Sequence, residues 1–345
     1  MSIAKEHSCF MTKTDLHTPD TNKHKSAKKR FPNVIFLFLC AIIWGFGFIA
    51  QRLGNQHVGP FTFNGIRFLL GALTVSPLLL IVRRAEEKEQ RAAGISASEV
   101  QNKKRASRRA WLIGSLICGV ALFAGASFQQ IGLINTEAGK AGFITALYII
   151  LVPLIGLLLG KRVSWNVWIG LALAVGGLYL LMVKGDFIVA TSDLIILIGA
   201  FLWALHILAV DHHTEKVDGI RLAFGQFLVS GLLSFTVALV REPMSWSAIK
   251  EALLPLLFSG VVVAGVAFTF QVLGQRGTNP TLAALIMSLE AVFAVIGGIL
   301  VLNERMSSRE WFGSALMLIA LIIAQLKFQK KEVEDLSSSK KINRT

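Results

Sequence analysis

Ten apolar runs, each about 18–23 residues long and separated by short charged blocks, fill most of the 345-residue sequence. Each run is long enough to cross roughly 30 Å of hydrocarbon. A segment inside lipid must satisfy its own backbone N–H and C=O groups, which restricts an open chain to helices. The expected architecture is therefore an all-α membrane protein with ten transmembrane helices, at 33–51, 61–82, 110–130, 138–159, 164–183, 193–210, 220–240, 251–273, 281–301 and 310–327. Charged residues make up 16% of the chain, against about a quarter in soluble domains, and they gather between the runs. The polar, Lys-rich stretch 1–32 and the tail 328–345 are expected to be disordered, and 83–109 to be a solvated charged loop.

Charge placement gives an orientation. With the N-terminus inside, and residues at span ends counted with the adjoining loops, 27 of the 35 Lys and Arg fall on the cytoplasmic side and 7 on the other, and one more, Arg67, lies within a span. Both termini are thus expected in the cytoplasm, in a bacterial inner membrane. The net charge of +14 is accounted for by these inside loops and requires no nucleic acid. Of the three cysteines, Cys40 and Cys118 sit in apolar runs as small hydrophobes, and no disulfide framework or metal-ligand spacing is present. The adjacent His212 and His213, read as part of a polar loop beside Asp211, make a poor tetrahedral zinc site. No cofactor and no metal is expected.

The chain repeats itself. Gly139–Gly170 returns as Leu282–Gly313 at an offset of 143, pairing Arg162 with Arg305, Ser164 with Ser307, Trp168 with Trp311 and Gly170 with Gly313. At an offset of 159, Trp44 pairs with Trp203, Ala50 with Ala209 and Arg67 with Gln226. Phe128-Gln129 answers Phe270-Gln271. The offset falls because the long 83–109 segment occurs once. Two halves of five helices each, 33–183 and 193–327, follow from this pattern. Five is odd, so the second half must enter the membrane from the opposite side. Such an inverted-topology repeat places a substrate site near the midplane between halves.

At about 1.5 Å per residue, Trp44, Tyr148, Trp203 and Glu290 all lie roughly 15 Å deep. Glu290 is the one carboxylate deep within any span rather than at its end. A charge at that depth costs about 2.5–3.5 kcal/mol or more, so it either hydrogen-bonds a neighbouring helix in its neutral form or serves substrate or proton coupling. Arg67, nearer the outer end of its helix, is an interfacial anchor or packing donor, or else a cation for an anionic substrate group. Gln129 and Gln271 fall at opposite mouths of the bundle, where they line gates or bond helix to helix; Gln226 holds the position matching Arg67. Trp44, Phe48, Tyr148 and Trp203 form a candidate aromatic lining, and His206, one turn beyond Trp203, is a packed core residue or a proton relay. Pro153 is a candidate hinge in the fourth helix, and Asn279-Pro280 reads as an N-cap followed by an N1 proline.

These residues carry a resemblance. Trp44-Gly45, RFLLGAL from Arg67, AGKAGFITALYIILVPL from Ala138, FLWALHIL from Phe201, SLEAVFAVIGGILVLNER from Ser288, and the closing Trp311 and Gly313 resemble the EamA-type branch of the drug/metabolite transporter superfamily. The resemblance spans about residues 33–327. It implies a ten-helix bundle around a central cavity, and export or exchange of small metabolites, amino acids or drugs. Two departures stand out. Lys161-Arg162 replaces the family's frequent Glu-Arg, retained only as Glu304-Arg305, and Ala291 stands where Pro commonly follows the buried Glu, implying a straighter ninth helix.

The combined expectation is a secondary carrier, not an enzyme, in contact with the lipid bilayer, a small-molecule substrate and a coupling proton or other ion. No phosphate-binding G-x-x-x-x-G-K-[ST] motif occurs. A homo-oligomer is compatible with the sequence. The alternatives are a carrier of nucleotide-sugars or lipid-linked substrates, against which a single buried Arg argues, and an integral-membrane enzyme, for which no nucleophile-base pair is evident.

Overall fold

A computed structural model of the chain describes residues 21–92, 97–136, 138–160, 163–182, 190–302 and 307–325. Among these residues every regular element is a helix. The first half contains α1 (Thr21–Gly54), α2 (Pro60–Ala92), α3 (Ala97–Gly132), α4 (Ala138–Ala146), α5 (Tyr148–Leu158) and α6 (Trp165–Met182). The second contains α7 (Thr191–Thr214), α8 (Gly219–Arg241), the short α9 (Trp246–Glu251) and α10 (Leu253–Leu257), and a π-helical segment, Phe258–Phe268. It continues with α11 (Thr269–Gln275), α12 (Pro280–Met287), α13 (Glu290–Leu302) and α14 (Ser308–Gln325). Among the described residues eight stretches are long and apolar enough to cross a membrane, and two shorter apolar helices, Trp165–Leu180 and Trp311–Ala324, lie at the other two expected positions.

Several expectations are corrected. The connection at 83–109 is helix as far as Ala92 and again from Ala97, so α2 and α3 project well beyond their apolar cores. Ala, Glu, Lys, Gln and Arg are strong helix formers, and the i,i+4 pair Arg83–Glu87 (3.0 Å) adds a little support. Likewise α1 starts at Thr21, ahead of the apolar run. His212 and His213 lie in the last turn of α7 rather than in a loop. The basic break at 161–162, its counterpart at 304–305 and the tail 328–345 lie outside the described residues.

The fourth and ninth spans are each broken in the middle. One break is at Leu147 and the other at Ser288–Leu289, so α5 and α13 begin 142 residues apart, at Tyr148 and Glu290. The hinge expected at Pro153 is therefore displaced by more than a turn; the proline lies inside α5. The ninth span lapses at Ser288–Leu289 although Ala291 rather than proline follows Glu290. Tighter bonds carry the chain through both breaks: Leu147 N–H donates to Ile144 O (3.2 Å), Leu289 N–H to Ile286 O (3.2 Å) and Ala291 N–H to Ser288 O (3.2 Å). The Ser288 hydroxyl adds a bond to Leu285 O (2.8 Å). These i→i+3 contacts keep backbone groups paired where the α ladder lapses. The Asn279 side-chain Oδ1 accepts from the N–H groups of Thr281 (2.9 Å) and Leu282 (3.4 Å), the expected N-cap ahead of Pro280.

Packing runs mainly between the halves. α1 lies against the π segment, α11, α12 and α13; α7 lies against α3, α4 and α5. α2 packs on α8 and on the π segment, α3 on α8, and α6 on α14. Small residues set the closest approaches. A Cβ at Gly71 would lie 2.7 Å from the Ala264 methyl, and one at Gly265 2.7 Å from Thr74, so α2 and the π segment nearly touch by their backbones. Gly45 performs the same service between α1 and α13, where an added Cβ would meet the Ala294 backbone nitrogen at 2.6 Å.

Backbone cannot yield as a flexible side chain can. Gly45→Ala is expected to destabilise the bundle by about 1–3 kcal/mol through overpacking. Thermal unfolding of the detergent-solubilised protein would register this as a lower melting midpoint.

Candidate functional site

The two helix breaks bring the site together. Tyr148 and Glu290, the first residues beyond them, meet across the bundle: the tyrosine hydroxyl donates to Glu290 Oε1 at 3.1 Å. Both are almost wholly buried. They line a narrow cavity together with Trp44, Phe48, Gln51, Arg67, Gln129, Thr145, Trp203, Val263 and Phe268. Its mix of aromatic walls with a few polar groups is typical of small-ligand sites.

Arg67 is the unusual member. It is 2% exposed, buried rather than snorkelling to the interface. Its guanidinium carbon sits 4.6 Å from the Phe68 ring centroid and 5.8 Å from that of Phe63. Such cation–π contacts are worth about 0.5–2 kcal/mol and leave the charge itself unneutralised. The Nε has no hydrogen-bond partner, and among the described residues no carboxylate pairs with Arg67. A buried cation without a counter-charge is costly, and an anionic ligand group would relieve that cost.

Aromatic rings close the walls. Trp44 and Trp203, partners at the 159-residue offset, face each other with centroids 6.3 Å apart, and Phe268 lies against both, at 4.7 and 5.7 Å. The π segment ends at Phe268, so its wide turns deliver that ring and Val263 to the cavity.

On one side of the cavity the polar groups are linked. The Trp203 indole N–H donates to Gln129 Oε1 (2.8 Å), Gln129 Nε2 to Gln51 Oε1 (3.0 Å), and Gln51 Nε2 to Gly47 O (3.2 Å). Behind them Gln130 Nε2 reaches Gln51 O (3.2 Å) and Asn55 Oδ1 (2.8 Å), tying α3 to α1. The matching residues on the other side are unlinked. Trp44 Nε1 and both side-chain polar atoms of Gln271 are buried without partners.

Seven sequence candidates line the cavity: Trp44, Phe48, Arg67, Gln129, Tyr148, Trp203 and Glu290. His206 and Gln226 do not; they bond each other (2.9 Å) behind the wall, where the imidazole packs edge-on against Trp203 and Phe268. Gln271 is also outside the lining. Gln51, Thr145, Val263 and Phe268 were not evident in the sequence. Gln51 lies seven residues, two turns, beyond Trp44, a spacing that puts both on one face and offers a signal. Val263 and Phe268 are placed by a π segment that α-helical spacing does not anticipate.

The unequal linkage gives a pair of contrasting substitutions. Gln129→Leu leaves Trp203 Nε1 and Gln51 Oε1 without partners and is expected to cost about 1–3 kcal/mol, seen as a lower melting midpoint. Gln271→Leu removes only atoms that already lack partners and is expected to leave the midpoint unchanged or slightly raised.

Comparison with known proteins agrees with this architecture. The EamA-like transporter family matches twice, over residues 32–183 and 190–325. An uncharacterized transporter of Archaeoglobus fulgidus is 30% identical over 301 residues, covering 87% of each chain. The uncharacterized transporter sll0355 of Synechocystis is 25% identical, covering 87% of this chain and 93% of the relative. The uncharacterized inner membrane transporter YedA of Escherichia coli K12 is 23% identical over 84% of this chain and 89% of its own. A protein crystal structure superposes with a TM-score of 0.66 over 86% of this chain and 97% of that one, at 19% identity, which speaks for the fold alone. With membrane-length helices throughout and a family match along most of its length, the chain is a multi-pass membrane protein that belongs to the EamA-like transporter family.

Proposed function

We propose that the chain is a secondary carrier that moves a small amphipathic metabolite bearing an anionic group, such as an amino acid, across the bacterial inner membrane by alternating access. The observation that carries this reading is one aromatic cavity holding both the unpaired Arg67 and the Tyr148-bound Glu290. Arg67 would take the anionic group, the tryptophans and Phe268 the apolar body. Glu290 would bind a proton in one facing state and release it in the other, with export as the direction of net transport.

Ten spans in two inverted halves fit the packing. A two-fold axis in the membrane plane exchanges α1 with α7, α2 with α8, α3 with the π segment and α11, α4–α5 with α12–α13, and α6 with α14. Under that exchange the contact of α1 with α11 maps onto α7 with α3, α1 with α12 and α13 onto α7 with α4 and α5, and α2 with the π segment onto α8 with α3. The pairs α2–α8 and α6–α14 map onto themselves. The double family match and the paired breaks support the same reading. The positive-inside bias supports a cytoplasmic location for both termini.

Alternation then has a local form. The Trp203–Gln129 bond lies toward the outer end of the cavity, and its symmetry mate, Trp44–Gln271, toward the inner end. The outer bond is made and the inner one is not. Other ties gather at the same outer end. Lys140 Nζ pairs with Asp193 Oδ2 (2.5 Å), whose Oδ1 accepts from the Thr136 hydroxyl (3.1 Å). The Glu242 carboxylate accepts from Phe61 N–H (2.9 Å), Thr62 N–H (2.7 Å) and the Thr62 hydroxyl (2.7 Å), a charge well placed at the N-terminus of α2. Opening outward would break the outer latch and make the inner one.

Reconstitution in proteoliposomes tests the reading. Arg67→Gln is expected to raise the KM for the transported metabolite about tenfold, the loss of roughly 1.4 kcal/mol of ground-state binding, with Arg67→Lys recovering part of it. Glu290→Gln is expected to keep substrate exchange down a concentration gradient and to lose accumulation driven by a pH gradient. Uphill transport that responds to the pH gradient unchanged in Glu290→Gln would remove the coupling role.

A further inference from the structure

A second concavity lies away from the central cavity, where the projecting part of α3 passes the C-terminal end of α7. It is lined by Arg105, Arg109, Ile113, Ile117, His212, His213 and Lys216, with two alanines of α3 between them. We infer that this groove binds an anionic phospholipid, its phosphate held by Arg105, Arg109 and Lys216 and its acyl chain laid along Ile113 and Ile117.

The four α3 residues recur every fourth position, so they form one stripe about 18 Å long that changes from cationic to apolar along the helix. Ile113 and Ile117 are 45% and 46% exposed, at the start of the apolar stretch that enters the membrane. A basic surface serving only solubility would have no reason to run on into exposed isoleucine. A phospholipid has this polarity along its length: anionic head, then hydrocarbon.

The charge is uncompensated. Neither arginine makes a hydrogen bond or ion pair with any described residue, and the lining contains no carboxylate. Arg221 of α8, by contrast, is paired with Glu86 of α2 (2.5 Å). Lys216 is brought round by the turn after α7, where its N–H donates to His213 O (3.0 Å), and its Nζ lies 2.9 Å from His212 Nε2. The floor is made by close packing: Gly114 lets the His213 ring lie against α3, and His213 Nδ1 is anchored on Ala209 O (2.9 Å). The positive-inside count puts this end of the bundle on the cytoplasmic face, where basic pockets between helices recognise anionic head groups. The inference is independent of what the central cavity carries.

The test uses the full chain, purified in neutral detergent and stripped of lipid, titrated with dioleoylphosphatidylglycerol, dioleoylphosphatidylcholine or soluble sn-glycerol 3-phosphate. Melting midpoint and native mass spectrometry report binding. Phosphatidylglycerol is expected to raise the midpoint and to remain bound in the gas phase, and the other two probes are not. Arg105→Gln/Arg109→Gln is expected to weaken phosphatidylglycerol binding about thirtyfold without lowering the lipid-free midpoint, and the double lysine variant to retain most of it. Equal binding by the glutamine variant would overturn the assignment. So would an equal response to phosphatidylcholine, which marks unselective coating by lipid, or to glycerol phosphate, which marks a simple anion site. A glutamine variant that failed to fold would shift the decision to the lysine variant, whose loss of phosphatidylglycerol selectivity would likewise overturn it.

Discussion

Hydrocarbon offers no hydrogen bonds, so a helix that breaks inside a membrane must satisfy its backbone from its own resources. This constraint governs the centre of the molecule. The lapses at Leu147 and Ser288–Leu289 are bridged by tightened i→i+3 bonds and by the Ser288 hydroxyl, and they are enclosed by neighbouring helices. Because the breaks are tolerated, Tyr148 and Glu290 can turn toward each other at the start of new helical segments. An unbroken helix in either place would carry a different face through the middle of the bundle. The polar centre of the cavity therefore follows from how the backbone is satisfied two residues away.

Burial distributes the polar residues into two kinds. Some are paired and hold elements together: the Trp203–Gln129–Gln51 chain, Asn55 with Gln130, Asp193 with Lys140. Others are left with unused capacity in dry surroundings, among them the Arg67 Nε, Trp44 Nε1 and the Gln271 amide. Unpaired buried groups are costly, about 1–3 kcal/mol each and more when charged. A stable scaffold has no use for that cost. A molecule that must exchange partners during a working cycle does, because groups already satisfied on all sides have nothing to gain from a ligand or a second arrangement.

Much of this was legible in the sequence. Run lengths gave the membrane helices, and depth along each run selected Trp44, Tyr148, Trp203 and Glu290, all of which reach one cavity; the 142- and 159-residue offsets are what the proposed division into two halves rests on. Depth is a one-dimensional quantity and a span fixes it. Which way a residue faces depends on packing, and in helices apolar all round the pattern does not set it; hence His206, Gln226 and Gln271, buried but turned elsewhere. Proline misled twice, once where the break precedes Pro153 by more than a turn and once where Ala291 follows a break without any proline. Pro77, in α2, shows why the residue is an imperfect guide: the carbonyl it leaves free, Leu73 O, accepts from the Ser76 hydroxyl (2.8 Å), and the helix continues. The 83–109 segment was read as loop because it is charged, although its residue types favour helix once they project into water.

The π segment has a further consequence. Eleven residues, Phe258–Phe268, run with wide turns, whereas the corresponding stretch of α3 is regular α-helix. If the proposed halves were perfect copies, facing inward and facing outward would be mirror conditions of equal free energy, and an empty carrier would divide its time evenly. A segment wound differently on one side only lifts that degeneracy. In the proposed carrier the empty protein would then have a preferred resting side fixed by its own fold, and the direction in which it most readily picked up cargo would be a property of helix winding as much as of any gradient.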